Sequence, residues 1–520
     1  MKRLFRMGKY SKLKRLNEQA NVDSQNRSKE KIEEGIPTSI KILEEKLRQT
    51  FTDSSDFVLK EILIKGKDVK IIIAYIDGLV DKRVLNQDII QAIIRNRQEI
   101  LETIDQDDKN LFNLIKYNIL YDCEIEDTKD YLASVSDILS GNSLLFIDGE
   151  AIALKLCTKG WEQRGINMPE TEAVVRGPRE GFTESIRVNT SMLRRKIKNP
   201  NLKFEQLKLG QETNTDICMC YLKDIANDAI VDEVRRRLTE IKTDAILESG
   251  YIEEFIEDSP YSIFPTIFNS EKPDVIASKI LEGRVAVICD GTPFVLTMPH
   301  LYLENIQSSE DYYSRFYFSS FARILRFISL VITSTLPAIY VAFLSFHLGA
   351  IPFELLLSMA ASREGVPFSS FMEAFYMIFA FELLREAGVR MPRAVGQAVS
   401  IVGALILGDA AVNAGIASNI LIIVIAITAI TSFIVPDLKG SNIYIRLALL
   451  IGANVLGLMG FALVLFTIVA HMCSLRSFGV PYMSPFAPVS TIDLKDSLIR
   501  LHHEKMYTRP RTIIWNNKFK

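Results

Sequence analysis

Three stretches of this chain, Phe327 to Phe353, Ala410 to Pro436 and Leu447 to Leu475, contain no Asp, Glu, Lys or Arg, and they follow some three hundred residues of mixed composition. Each exceeds the roughly 20 apolar residues that a helix needs to cross a hydrocarbon core about 30 Å thick. None carries the polar stripe expected of a core helix in a soluble protein. Helical spans are predicted at about 324–346, 395–413, 416–435 and 446–473.

Ahead of them the pattern changes on a shorter scale. Runs at Phe57–Ile64 and Val69–Ile76 read as strands, a 3.6-residue period from about Leu85 to Ile104 reads as a helix, and Ser143–Ile147 with Ile152–Leu156 read as a further strand pair. Strands recur at Leu202–Leu209, Asp216–Leu222 and Arg284–Cys289, with helices at about Asp228–Ile241 and Asp274–Glu282. Asp77-Gly78, Asp148-Gly149 and Asp290-Gly291 each follow a β-rich run, and the last two have the setting of tight hairpins. The predicted fold is an α/β cytoplasmic head of two subdomains followed by an all-α multi-pass membrane domain. Its expected divisions are a basic, disordered leader (1–40), a first α/β subdomain (41–125) and a second (126–315). The membrane domain (316–474) then has about four transmembrane helices plus a re-entrant or interfacial segment, and a basic tail (475–520) closes the chain.

Charge adds orientation. The net charge of −2 averages a charged head with an apolar tail half and implies no nucleic acid. Lys2, Arg3, Arg6, Lys9, Lys12, Lys14 and Arg15 open the chain with no apolar run after them, which argues against a cleaved signal peptide. That leader is either solvated or a contact for anionic lipid. Arg315, Arg323 and Arg326 precede the first span and place the head in the cytoplasm. An even number of spans returns the tail, with Lys495, Arg500, Lys505, Arg509, Arg511, Lys518 and Lys520, to the same side.

Candidate chemistry is sparse. Cys218 and Cys220 fall on one face of an apolar run and read as a reduced, buried strand pair; without further Cys or His nearby they make no metal site. His300 is the only histidine of the head, so no Ser-His-Asp or Cys-His set is available, and neither an enzyme nor a cofactor is predicted. The segment Val175 to Ile197 is dense in charge and glycine, with Arg179, Glu180, Glu184, Asn189, Arg194 and Arg195 as candidates for coupling. It is either an anion-binding loop or a surface loop held by Arg–carboxylate pairs, and it lacks phosphate-loop spacing.

The membrane half offers candidates for a pore or gate. Pro337 must push away the carbonyl of Thr333, leaving either a packing kink or polar backbone for an aqueous path. Glu354, Arg363, Glu364, Glu373, Glu382, Arg385 and Glu386 interrupt short apolar pieces between Pro352 and the second span; Ala374–Phe381 is expected to lie in the lipid boundary, with Glu373 and Glu382 facing water or other subunits. Asp409 and Asn413 share a helical face, either lining a water-filled path or lying at the interface. Ala404, Gly408, Ala411 and Gly415 follow small-xxx-small spacing.

Longer motifs go further. Gly177–Ile197 (GPREGFTES…NTSMLRRKI), Ser259–Pro265 (SPYSIFP), Glu271–Asp274 (EKPD) and Gly283–Pro299 (GRVAVICDGTPFVLTMP) resemble the GerA-type spore germinant receptor A subunit family, which includes the similar SpoVAF-type proteins. So do Phe381–Pro392, Ser400–Leu405 and Phe478–Pro485, and together these motifs cover about residues 120–490. The resemblance implies a multi-pass protein of the spore inner membrane, partnered by a transporter-like B subunit and a lipoprotein C subunit. It further implies a homo-oligomer that forms or gates an ion path opening when partner subunits sense nutrient. A SpoVAF-type accessory channel subunit or a non-conducting scaffold are the alternatives.

Overall fold

A computed structural model describes residues 35–64, 69–105, 111–120, 124–160, 169, 172, 174–391, 403, 406–435, 438–506 and 508–513. Most of the expected leader and most of the expected span at 395–413 lie outside these residues. The described chain forms two compact units, one drawn from Met1–Asn167, Phe182–Lys208 and Asp216–Lys223, the other from Met168–Gly181, Leu209–Thr215 and Asp224–Lys520.

The first unit begins with α1 (Ile40–Thr50), which presents Ile40, Leu43 and Leu47 inward, and continues into β1 (Phe57–Ile64) and β2 (Val69–Ile76). The helix expected over 85–104 forms as shorter segments, Val84–Ile90, Gln91–Arg95 and Arg97–Asp105. It breaks at Asn96, whose side chain bonds back to the Ala92 carbonyl at 3.1 Å and competes with the helical ladder. Then come β3 (Ile125–Thr128), α2 (Tyr131–Leu139), β4 (Ser143–Ile147) and β5 (Ala153–Leu156). Antiparallel pairing gives a five-stranded sheet in the order β1-β2-β4-β5-β3.

That sheet is covered on both faces, which explains why its central strands are almost continuously apolar. Ile71, Ile73, Leu145, Ile147, Leu154 and Leu156 pack against Leu85, Ile89 and Ile93. Their neighbours of opposite parity, Ala74, Ile76, Leu144, Phe146 and Ala153, pack against Leu43, Leu47, Tyr131 and Val135. Because β4 pairs directly with β2, the first sheet runs past the subdomain boundary expected at 125/126. The unit is completed by α3 (Ile186–Lys196), β6 (Leu202–Leu209) and β7 (Thr215–Leu222), in which Cys218 and Cys220 are buried with their sulfurs 3.8 Å apart.

The second unit carries α4 (Asp228–Glu240), α5 (Ser249–Ile256), β8 (Phe268–Ser270), α6 (Pro273–Leu281), β9 (Val285–Cys289) and β10 (Val295–Met298). The element order from β6 to β10 repeats that from β1 to β5: two strands, helices, a strand, a helix and a hairpin. Pairing repeats as well. β9 joins β10 across Asp290-Gly291 as β4 joins β5 across Asp148-Gly149, and β8 lies on β10 as β3 lies on β5. The recurring Asp-Gly turns are thus one sign of a duplicated topology.

Helices follow: α7 (Phe316–Phe346), α8 (Phe353–Ser362), α9 (Ser370–Arg390), a helix through 406–413, α10 (Asn419–Ser432) and α11 (Lys439–Ser474). By length and composition α7 is apolar enough to cross a membrane, and α11 is so when its 36 residues are counted as one helix. The piece expected to be interfacial, Ala374–Phe381, is part of the unbroken 21-residue α9. The single span expected at 446–473 is a hairpin instead, because Leu456 and Gly457 leave the helical region. Gly457 has φ +60, and a Cβ there would come within 2.9 Å of the Phe346 side chain, so the turn needs glycine. The two arms then touch, a Cβ on Gly452 falling 2.9 Å from the Gly460 carbonyl. At the far end, Ser441 bonds the Ile263 carbonyl while His471 Nε2 lies 3.1 Å from Ser262 Oγ. A straight helix would hold residues 441 and 471 about 45 Å apart at 1.5 Å per residue.

Candidate functional site at the start of the first apolar helix

Where the second unit passes into α7, four charged side chains close on one another. Asp311 is 2% exposed. Its carboxylate accepts from Arg323 Nε at 2.8 Å and from Arg326 Nη1 and Nη2 at 2.9 and 2.6 Å. Arg323, fully buried, also donates to Asp496 Oδ1 at 2.8 Å and to the carbonyls of Asp496 and Ser497 at 3.1 and 3.0 Å. Tyr312 hydrogen-bonds Asp496 Oδ2 at 2.9 Å, and the Arg323 and Arg500 guanidinium groups lie over its ring at 5.3 and 5.4 Å. Arg500 donates to the carbonyls of Asp311 and Ser314.

The local sequence explains the geometry. Asp311 lies in the short turn before α7, while Ser319, Arg323 and Arg326 recur at three- and four-residue spacing along the first turns of the helix, and Ser319 Oγ bonds the Asp311 carbonyl at 2.7 Å. Charges this deep need hydrogen-bonded partners. Burial pushes the Asp311 carboxyl up, but the Arg326 and Arg323 guanidinium groups overcome it and hold it below its ordinary value. Burial prevails at Asp496, which is held above its ordinary value, because it shares one guanidinium and feels the Glu282 charge.

A second buried cluster lies between α6, β9 and the Tyr302–Ile306 turn. Glu304 pairs with Lys279 and Arg284, and His300 places Nδ1 3.2 Å from Glu304 and Nε2 3.2 Å from Asn305. Burial disfavours the Glu304 anion, yet Arg284 and Lys279 hold its carboxyl well below the usual range. Beside it a cavity of about 430 Å³ is lined by Asp274, Lys279, Glu304, Tyr312 and Tyr313. The GPREGF and EKPD motifs meet at its wall: Tyr313 bonds Asp274 Oδ2 at 2.5 Å, and any Cβ on Gly177, whose φ is +145, would stand 2.8 Å from the Tyr313 ring.

The tail ties these parts together. Ser477 Oγ donates to the Thr266 carbonyl at 2.6 Å and accepts from the His300 amide at 3.0 Å; the Tyr302 amide donates to the Tyr482 carbonyl at 2.9 Å; Gln307 donates to the Asp496 carbonyl at 2.7 Å. With every charge engaged by a neighbour, this arrangement holds the segment after β10, the start of α7 and the tail together. It presents no nucleophile beside a general base.

The residues nominated from sequence are dispersed. Asn189 is buried, accepting from the Thr183 amide at 2.8 Å, and Arg194 is fully buried on Asp56 at 2.8 and 2.9 Å, with the Asn199 and Leu202 carbonyls at 3.2 and 3.0 Å. Glu180 and Arg195 are half-buried, whereas Arg179 and Glu184 are exposed, so Arg194 rather than Arg179 fixes the segment. Thr333 is buried and donates to the Thr428 carbonyl at 3.1 Å, and Pro337 is buried within an unbroken α7.

Of the two glutamates expected to face water or other subunits, Glu373 is turned away from water and Glu382 is half-buried. Glu373 is fully buried, with Oε1 accepting the Ser418 amide at 2.5 Å and Oε2 3.6 Å from Arg363 Nε. Glu382 pairs with Arg446 and Arg385. Arg363 stands near Glu373 from the end of α8, while Glu382 is met by Arg446 of α11 and by Arg385 of its own helix. Glu354, Asp409 and Asn413 are exposed, so the chain does not gather the pore candidates in one place. Sequence reasoning passed over Asp311, Glu304 and Asp496, and took Arg323 and Arg326 for flanking charge. The available signal was an Arg pair at i, i+3 on the same face as Ser319.

Comparison with known proteins gives a match to the family model described as Bacillus/Clostridium GerA spore germination protein over residues 45–512, which takes in this tail as far as residue 512. Spore germination protein KA of Bacillus subtilis (strain 168) is 46% identical over 468 residues, 89% of this chain and 85% of that protein. Spore germination protein B1 of the same organism is 36% identical, covering 89% of this chain and 95% of its own, and GerLA of Bacillus cereus is 35% identical, covering 89% and 93%. Among solved structures, the N-terminal domain of the A subunit of the Bacillus megaterium spore germinant receptor GerK3 is 34% identical and covers 52% of this chain and 97% of that one, with a TM-score of 0.41.

Proposed function

We propose, from the premise that this chain belongs to the GerA family of spore germination proteins, that it is a germinant receptor A subunit whose cytoplasmic part works an ion-conducting path in the spore inner membrane. The observation that carries this reading is the buried Asp311–Arg323–Arg326–Asp496 cluster. It joins the segment after β10, the first apolar helix and the tail, so a shift in one is felt by the others through bonds that exchange discretely. The tail's contacts with that start of α7 support a multi-pass arrangement with both ends of the membrane part on one side. The α11 hairpin reaches that arrangement by a different route from a single span, each arm of about 17 residues being at the short end of what crosses a bilayer.

Glu373 is the proposed gate residue. Its carboxylate oxygen facing Arg363 is an acidic position buried among apolar helices, the setting in which intramembrane charge serves ion movement. Asp409 and Asn413, outward on their helix, would line a path only between copies, which fits a homo-oligomer. In this reading nutrient recognition belongs to the transporter-like partner B subunit, with the lipoprotein C subunit as a further partner. The test is conductance of the purified full chain in planar bilayers, alone and with copurified partners, against Glu373→Gln at matched incorporation. Altered opening or cation preference is expected; a parent chain silent in both settings would leave a scaffold as the better reading.

A further inference from the structure

The SPYSIFP motif, Ser259–Pro265, takes no part in the cluster above, and its side chains divide sharply. Phe264 is 2% exposed and packs near Tyr302, Tyr482 and His471, with ring centroids at 6.3, 6.4 and 6.2 Å. Ser262 meets His471 at 3.1 Å, and the Ile263 carbonyl accepts Ser441. The loop is thereby pinned where one arm of the α11 hairpin starts and the other ends. Yet Tyr261 is fully exposed and Ile263 is 36% exposed. The contacts of Ser262, Ile263 and Phe264 hold the backbone beside Tyr261, so the loop presents this ring outward.

The surroundings identify what covers it. Tyr444, one turn into α11 from Ser441, is 63% exposed, and the outward face continues apolar through Ile451 and Val455. Lys439, His471 and Arg476 stand at the same ends of the hairpin arms. A tyrosine ring above an apolar helix face, with cations beside it, matches the boundary between acyl chains and anionic headgroups, where aromatic side chains with a polar tip are favoured. We infer that the SPYSIFP loop is a membrane-interface anchor, seating Tyr261 and Ile263 in the headgroup boundary of the bilayer that the α11 hairpin enters. The anchor rests on the proposed entry of that hairpin into the membrane. It sets the depth of the Tyr302–Tyr313 segment relative to the lipid, since Phe264 and Tyr302 are packed together.

The test uses the full chain in vesicles of phosphatidylcholine and phosphatidylglycerol, with Trp161→Phe and Trp515→Phe to clear the background. Tyr261→Trp reports the loop, and Phe466→Trp, at a position 72% exposed on the second hairpin arm, reports the hairpin itself. Lipids brominated high on the acyl chain should roughly halve the Tyr261→Trp emission, while lipids brominated near the chain end should quench only Phe466→Trp. Quenching of Phe466→Trp with none of Tyr261→Trp, whether acrylamide reaches the latter or protein shields it, overturns the anchor and leaves the hairpin in the bilayer. No lipid quenching of either overturns the hairpin's membrane entry and the anchor with it.

Discussion

Asp311→Asn is the sharpest probe of the junction, because it keeps the shape of a buried side chain and deletes its charge. The native carboxylate takes three guanidinium hydrogen bonds of 2.6 to 2.9 Å while 2% exposed. Removing one member of a buried ion pair costs about 3–5 kcal/mol, since the remaining charge is left uncompensated. Arg323 retains Asp496, and Arg326, with 17% of its side chain exposed, can turn to water, so the low end, about 3 kcal/mol, applies. For a unit of this size that corresponds to a fall in Tm of about 4–5 °C. Thermal unfolding of the detergent-solubilised full chain, followed by a thiol-reactive dye, reads the shift. Asp311→Leu combined with Arg323→Met should cost less than the two single changes together, because the pair leaves together. A melt of Asp311→Asn within about 1 °C of the parent, or strict additivity in the double variant, would refute the reasoning.

Two further outcomes follow from other buried charges. Arg194→Ala strands Asp56, which is 3% exposed, and should cost about 3–5 kcal/mol in denaturant unfolding, whereas Arg179→Ala, at an exposed position, should stay within about 0.5 kcal/mol. Burial, helped by the Glu257 charge, pushes Glu253 up to about 7 from an ordinary 4.5. Its folded value is the higher, so its contribution to stability is full below about pH 4.5 and is lost as pH rises through about 7; Glu253→Gln should raise Tm at about pH 8 relative to the parent and flatten that pH dependence.

The sequence by itself determined what local periodicity records. Strands β1 and β2 occupy the runs read as Phe57–Ile64 and Val69–Ile76, because alternating or continuous apolar residues between turn signals leave little choice of conformation. The same holds for α6 and α7, and for the Asp-Gly hairpins, whose glycines take positive φ. The long motifs carried the family. Tertiary structure decided what depends on partners distant in the chain. Arg323 and Asp496 are 173 residues apart, and nothing near either predicts a pair, so Arg323 reads as flanking charge until the tail folds onto it. Glu373 reads as an interruption until Ser418 and Arg363 enclose it. The reversal at Gly457 was hidden for the opposite reason: scattered glycines in an apolar run are compatible with a helix, and only the packing of Phe346 against Gly457 and the meeting of Gly452 with Gly460 turn the run into two arms.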